Sequence, residues 1–158
     1  MMGLIDQELF RDMARHDEGA RLLVYDDATG KTIGPGTTVI GNPTIGVGRN
    51  VGPGGPGLRD VEMNLMLVND AAHYSEQAGV FDWFHDLDEI RATVVVVTMI
   101  FNMGFRNFCT FKNTIAHIAA GEYAQAADGM LQSLWAKQVG DRAVRLSEMM
   151  RHGVKINR

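Results

Sequence analysis

The chain has 158 residues, 46% of them hydrophobic and 22% charged, a composition that builds one domain or two small lobes and excludes disorder. Its single cysteine, Cys109, excludes an intramolecular disulfide. Its longest apolar stretch, residues 93–101, falls far short of the ~20 residues that span a bilayer, so no membrane anchor is expected.

The opening run MMGLIDQELFRD carries acids where a secretion signal needs a basic start and an apolar core, so no signal peptide is expected. Leu4, Phe10, Met13 and Ala14 recur at helical spacing behind a capping candidate, Asp6, which predicts a helix over residues 4–18 that stops at Gly19. From Gly19 to Gly57 the texture changes: eleven glycines and all four prolines interleave with Thr, Val and Ile. Gly and Pro are the two poorest helix formers, so residues 19–57 read as a small β lobe with short strands such as Thr37–Ile40 and Thr44–Val47. Leu58, Val61, Leu65, Val68 and Ala72 then form one stripe, predicting a bridging helix over about 58–78.

Ile90 to Phe101 is apolar on every side. Its VVVV run favours a strand by propensity, while its length and the Asp88 cap favour a buried helix, which is the prediction. Tyr123, Ala126, Ala127, Met130, Leu131, Leu134 and Trp135 share one helical face. Asp141 can cap a last helix carrying Val144, Leu146 and Met150 and ending before Gly153. The fold class is α+β and mostly helical, with a helical lobe over about residues 80–158.

Charge is divided unevenly along this plan. Residues 1–90 hold fifteen Asp and Glu against six Lys and Arg; residues 91–158 hold four against nine. The net charge of −4 disfavours nucleic acid as a partner. The basic rear is either ordinary solvated surface or a face for an anionic polymer or binding partner.

Chemistry can sit at two places in the acidic front. Asp17 and Glu18 occupy the last turn of the first helix, where the dipole favours cations. They are either exposed acids tolerated there, or a half-buried Glu18 uses the helix end to hold a proton for general acid catalysis. Asp26 and Asp27 sit in the turn-like YDDATG. They are either turn residues, or Asp27 supplies the second carboxyl of a glycoside-cleaving pair, kept ionised by nearby backbone N–H groups. His16, His73, His85, His117 and His152 are scattered and form no metal-binding spacing, so neither metal nor cofactor is expected.

The run HDEGARLLVYDDATGKT, followed by TIGVGRN, resembles the catalytic segment of phage-type lysozymes (endolysins), glycoside hydrolase family 24. Glu18-Gly19, Tyr25, Asp27, Gly30 and Thr44-Ile45-Gly46-Val47-Gly48 follow that family's order. So do Leu87-Asp88, Phe101-Asn102-Met103-Gly104, Phe111-x-Asn113-Thr114, Trp135, Gln138, Arg142 and Arg145, and the likeness runs over residues 15–153. It implies a lysozyme-like fold with a cleft between the lobes and hydrolysis of the β-1,4 bond between N-acetylmuramic acid and N-acetylglucosamine in peptidoglycan. By the same resemblance Glu18 is the proton donor, Asp27 the carboxylate that steadies positive charge and helps activate water, and Thr44 the hydroxyl that positions that water. Phe101, Thr114 and Asn50 are then expected at the substrate, and Arg142 close to the catalytic Glu. The implied protein is a monomer that waits in the host cytoplasm and reaches the wall through a holin; travel in the virion is the other route.

Two departures from the family pattern stand out. Sixteen residues separate Asp27 from Thr44 where the family has five, so residues 31–43 contain an insertion, and Thr32, five after Asp27, competes with Thr44. Thr44 is preferred because it alone begins a full TIGVG run followed by Arg49-Asn50, and Arg49 stands where the family often has His. A non-catalytic wall binder or a virion protein, and a lytic transglycosylase, are the competing functions.

Overall fold

The first element, α1 (Gln7–Glu18), is bounded as its sequence dictates. The Asp6 carboxylate accepts from the N–H groups of Glu8 at 2.9 Å and Leu9 at 3.1 Å, a cap worth about 1 kcal/mol. Gly19 closes the helix at φ 69°, its N–H bonded to Arg15 O. The computed structural model describes residues 6–156, so Leu4 of the predicted helix lies outside the described residues.

The chain divides within α2 (Asp60–Ala78) into two units, residues 1–64 and 65–158. In the first unit β1 (Arg21–Asp26), β2 (Pro43–Gly46) and β3 (Arg49–Asn50) form an antiparallel sheet in that order. Tyr25 pairs with Thr44, Asp26 with Pro43, and Thr44 with Asn50. The inserted segment starts on the other edge of β1: Asp26 N donates to Lys31 O, Ile33 N to Val24 O, and Tyr25 bridges to Thr32.

Thr37–Ile40, predicted as a strand, is irregular. Thr37 N turns back to Gly34 O, and Ile40 N is taken by the Asp26 carboxylate, so the donors at both ends of the segment are drawn away from a ladder. The other predicted strand shifts by one residue, from Thr44–Val47 to Pro43–Gly46. Among the described residues of this unit only Tyr25, Asp26 and Thr44 are buried, so hydrogen bonds, rather than an apolar core, hold its shape. Arg49 contributes two of them, Nε to Gly57 O at 2.7 Å and a guanidinium nitrogen to Glu62 at 2.5 Å. Glu62 also takes Arg59, and its pKa is drawn down to about 2, chiefly by the Arg59 hydrogen bonds and then by Arg49.

The bridging helix predicted from residue 58 starts at Asp60, which leaves Leu58 before it, and its stripe is exposed at Val61, Leu65 and Val68. The periodicity therefore identifies the helix without identifying a covered face.

The second unit has a continuous apolar core that includes Met99, Ile100, Phe108, Ile118, Met130, Trp135 and Met150. Asp88 caps α3 (Glu89–Thr93), which continues as a π-helix over Val94–Ile100 and ends in α4 (Phe101–Met103). The helix prediction for Ile90 to Phe101 holds in this wider form. After α5 (Phe105–Phe108) and α6 (Lys112–Ala119), the single face predicted from Tyr123 to Trp135 divides into α7 (Tyr123–Leu131) and α8 (Leu134–Val139). Ser133 makes the break, its Oγ donating to Met130 O at 2.6 Å and accepting from Ala136 N at 3.1 Å.

The last helix, α9 (Asp141–His152), ends at Gly153 in the left-handed conformation as predicted. Asp141 does not cap it: Gly140 occupies that position at φ 57°, and Asp141 is the first helical residue, where its charge favours the dipole. Arg91 closes the other end, donating to Met150 O at 2.7 Å and Arg151 O at 3.0 Å while its guanidinium lies 3.8 Å over the Tyr123 ring. The same guanidinium pairs with Asp88. Burial works to raise the Asp88 pKa, but the Arg91 N–H and guanidinium outweigh it and hold the carboxyl below its ordinary value.

Candidate active site

Glu18, Asp27, Thr44 and Asn50 belong to the first unit; Phe101, Thr114 and Arg142 belong to the second. Glu18 is the last residue of α1 and is exposed, not half-buried. Its side chain reaches the turn between β2 and β3. A Cβ on Gly48, which has φ +68°, would lie 3.0 Å from Glu18 Oε2 and 3.2 Å from its carboxyl carbon. Gly48 therefore serves twice, by adopting a conformation that L-residues avoid and by leaving the carboxyl room against the backbone.

At the other end of β1 the two adjacent acids diverge. Asp26 ends the strand and is buried, while Asp27 begins the turn that follows and is exposed. Asp26 is 2% exposed and receives three backbone N–H groups: Ile40 at 2.8 Å, Gly41 at 3.0 Å and Ala28 at 3.0 Å. These bonds, Ile40's foremost, hold its carboxyl below the usual range against the opposing effect of burial.

Asp27 is exposed and is held by one residue. Asn42 N donates to Oδ1 at 2.7 Å, and Asn42 Nδ2 donates to Oδ2 at 3.1 Å. These two bonds keep the Asp27 pKa low, opposed by desolvation and by the neighbouring Asp26 charge. The backbone N–H expected near Asp27 is thus that of Asn42.

Thr44 is buried and joins the same node. Its Oγ1 donates to Asn42 O at 3.1 Å, and that carbonyl also accepts from Asp27 N at 3.1 Å. Thr32 pairs with Tyr25 from the opposite edge and is exposed. Asn50 sits opposite Thr44, but its Oδ1 accepts from Gly52 N at 2.7 Å, so that part of it serves the glycine-rich loop behind β3.

In the second unit Phe101 and Thr114 line separate cavities. Phe101 meets Tyr74 edge-on at 5.6 Å and, with Leu67 and Val97, borders an apolar hollow of about 70 Å³. Thr114 is buried at the floor of a polar groove of about 510 Å³ between α6 and α7, where Gly129 lets its hydroxyl approach. Arg142 is exposed at the start of α9. Trp135 Nε1 donates to Asn102 Oδ1 at 3.1 Å, joining two residues of the sequence pattern that lie 33 positions apart.

The sequence reading passed over Asn42, Gly48 and the separate job of Asp26. Asn-Pro is a turn signal, and Gly48 belonged to the quoted TIGVG, but nothing in either residue type announces its partner. Among the described residues no group of three or more His, Cys, Asp or Glu side chains converges as a metal site would.

Comparison with known proteins agrees with this architecture. The phage lysozyme family profile matches residues 15–152. Two proteins of Dictyostelium discoideum, probable T4-type lysozymes 1 and 2, are 27% and 24% identical to this chain, each alignment covering 90% of this chain and 94% of the relative. A mostly helical α+β fold with a small antiparallel sheet, matched over nearly its whole length, places the chain in the phage lysozyme family.

Proposed function

We propose that this protein is a muramidase that hydrolyses the β-1,4 bond between N-acetylmuramic acid and N-acetylglucosamine, with Glu18 as general acid and Asp27 as the ionised carboxylate. Family membership supports the peptidoglycan hydrolase class. The observation that carries the assignment of roles is the hold on Asp27. Two donors from one residue keep that carboxylate charged, which suits it to steady positive charge at the sugar and to orient water.

Glu18 reaches the Gly48 turn from the end of a helix, and in this reading delivers its proton to the departing glycosidic oxygen. Thr44 is favoured over Thr32 as the water-positioning hydroxyl because it shares Asn42 with Asp27. Water activated at Asp27 and Thr44 attacks the face opposite the leaving group, so the product emerges with inverted configuration. In this reading Phe101, Thr114 and Asn50 contact the glycan and Arg142 supports Glu18.

The deciding test is turbidity loss of purified murein by wild type, Glu18→Gln and Asp27→Asn, with mass spectrometry of the released fragments. Loss of lysis in both variants at unchanged or higher Tm, and reducing sugar ends from wild type, are expected. Wild-type lysis by Glu18→Gln removes Glu18 from the chemistry, and anhydro ends assign the protein to the lytic transglycosylases. The proposal extends to delivery as a monomer through a holin pore, tested by comparing lysis of expressing cells with and without a co-expressed holin.

A further inference from the structure

The 31–43 insertion has a geometry of its own. After crossing β1's far edge it returns past both acids, and its last residues are bonded to them in succession: Ile40 N and Gly41 N to Asp26, then Asn42 N and Nδ2 to Asp27. A glycine- and proline-rich stretch of this length has large conformational freedom to lose, so a buried anion collecting two of its N–H groups is what gives the segment a single path. Gly41 lies so close that a Cβ there would overlap the Asp27 carboxylate and sit 2.9 Å from Ala28 N.

We propose that this segment is a clasp for the reacting carboxylate, with Asp26 as its anchor and Asn42 as the positioning residue that orients Asp27. The inference rests on the reading of Asp27 given above. The division of labour follows from burial: the buried acid at the end of β1 spends its charge on the loop, and the exposed one in the turn stays available. Asn42 fixes both oxygens of Asp27 at once, which sets the plane of the carboxylate as well as its ionisation. Asp26 is the ionised neighbour acting on Asp27, and its charge opposes what Asn42 does; Asn42 offsets that repulsion.

Three variants of the full chain, Asn42→Ala, Asn42→Asp and Asp26→Asn, test this through carbon-detected NMR of the Asp27 carboxyl, amide exchange, and the pH profile of murein hydrolysis. Asn42 is exposed, so changing it leaves the buried residues in place. The Asp27 titration midpoint is expected to rise from wild type to Asn42→Ala and again to Asn42→Asp, where a second carboxylate faces it. On the acid limb of the profile, Asn42→Ala is expected to lose about tenfold in rate relative to wild type, the worth of one charge-assisted hydrogen bond, with a smaller loss at neutral pH. Asp26→Asn is expected to speed amide exchange at Asn42.

A midpoint that stays at the wild-type value in both Asn42 variants overturns the proposal, as does unchanged Asn42 exchange in Asp26→Asn. Failure of the underlying reading looks different. Asp27→Asn would then keep its hydrolysis, whatever the NMR titration reports for Asn42.

Discussion

Gly48 and Gly46 offer a matched pair that separates backbone strain from contact with the proposed acid. Both have positive φ, +68° and +66°, so Ala at either position pays about 1–2 kcal/mol for a left-handed conformation. At Gly46 nothing lies within 4 Å of the added Cβ. At Gly48 the methyl meets Glu18 at 3.0, 3.2 and 3.3 Å, which forces the carboxyl to withdraw by roughly a few tenths of an ångström. A misplacement of ~1 Å costs about a hundredfold in rate, so a shift of this size is expected to cost about tenfold. Both variants should lose about 2–8 °C in Tm, while murein lysis falls about tenfold only for Gly48→Ala. Equal lysis by the two variants, at equal concentrations of folded protein, would refute the claim that Glu18 works from its position on Gly48.

Thr44→Ala is expected to harm lysis much more than Thr32→Ala in the same turbidity assay; the reverse order would move the water-positioning role to Thr32 and reassign the insertion. Removing Arg91, whose side chain is 14% exposed, breaks two charged hydrogen bonds to the end of α9 and a cation–π contact. Arg91→Ala should cost about 3–4 kcal/mol in urea unfolding, and Arg91→Lys should restore little because an ammonium cannot reproduce the fork; a loss under about 1 kcal/mol would contradict this. Glu62, with its pKa drawn down to about 2, contributes stability that is fully present above the ordinary glutamate value of ~4.3 and disappears as pH falls through about 2. Circular dichroism between pH 5 and 2 should show Arg59→Ala losing stability at higher pH than wild type, and coincident curves would count against the ion pair. Proton NMR of the first-formed sugar end should show the inverted anomer; retention would require Asp27 to act as a nucleophile.

Local order was legible in the sequence wherever one residue type has one use. Asp6 and Gly19 bound α1, Asp88 caps α3, Gly153 ends α9, and the glycine-laden stretch builds a small sheet. The same rules misjudged Asp141, because Gly140 took the capping position, and Thr37–Ile40, because a carboxylate captured the Ile40 N–H a strand would need. The order Glu18, Asp27, Thr44 was likewise readable, since the pattern is carried by side-chain identity along the chain.

What tertiary structure alone decided was the pairing of those side chains. Asp26 and Asp27 are the same residue type in adjacent positions, yet one is buried against backbone N–H groups 14 and 15 residues away and the other is held by Asn42. Backbone donors carry no residue label, and which of them a carboxylate finds depends on the path of the loop between. Composition and spacing determine that two acids and a hydroxyl are available; the folded loop determines which acid is left facing outward.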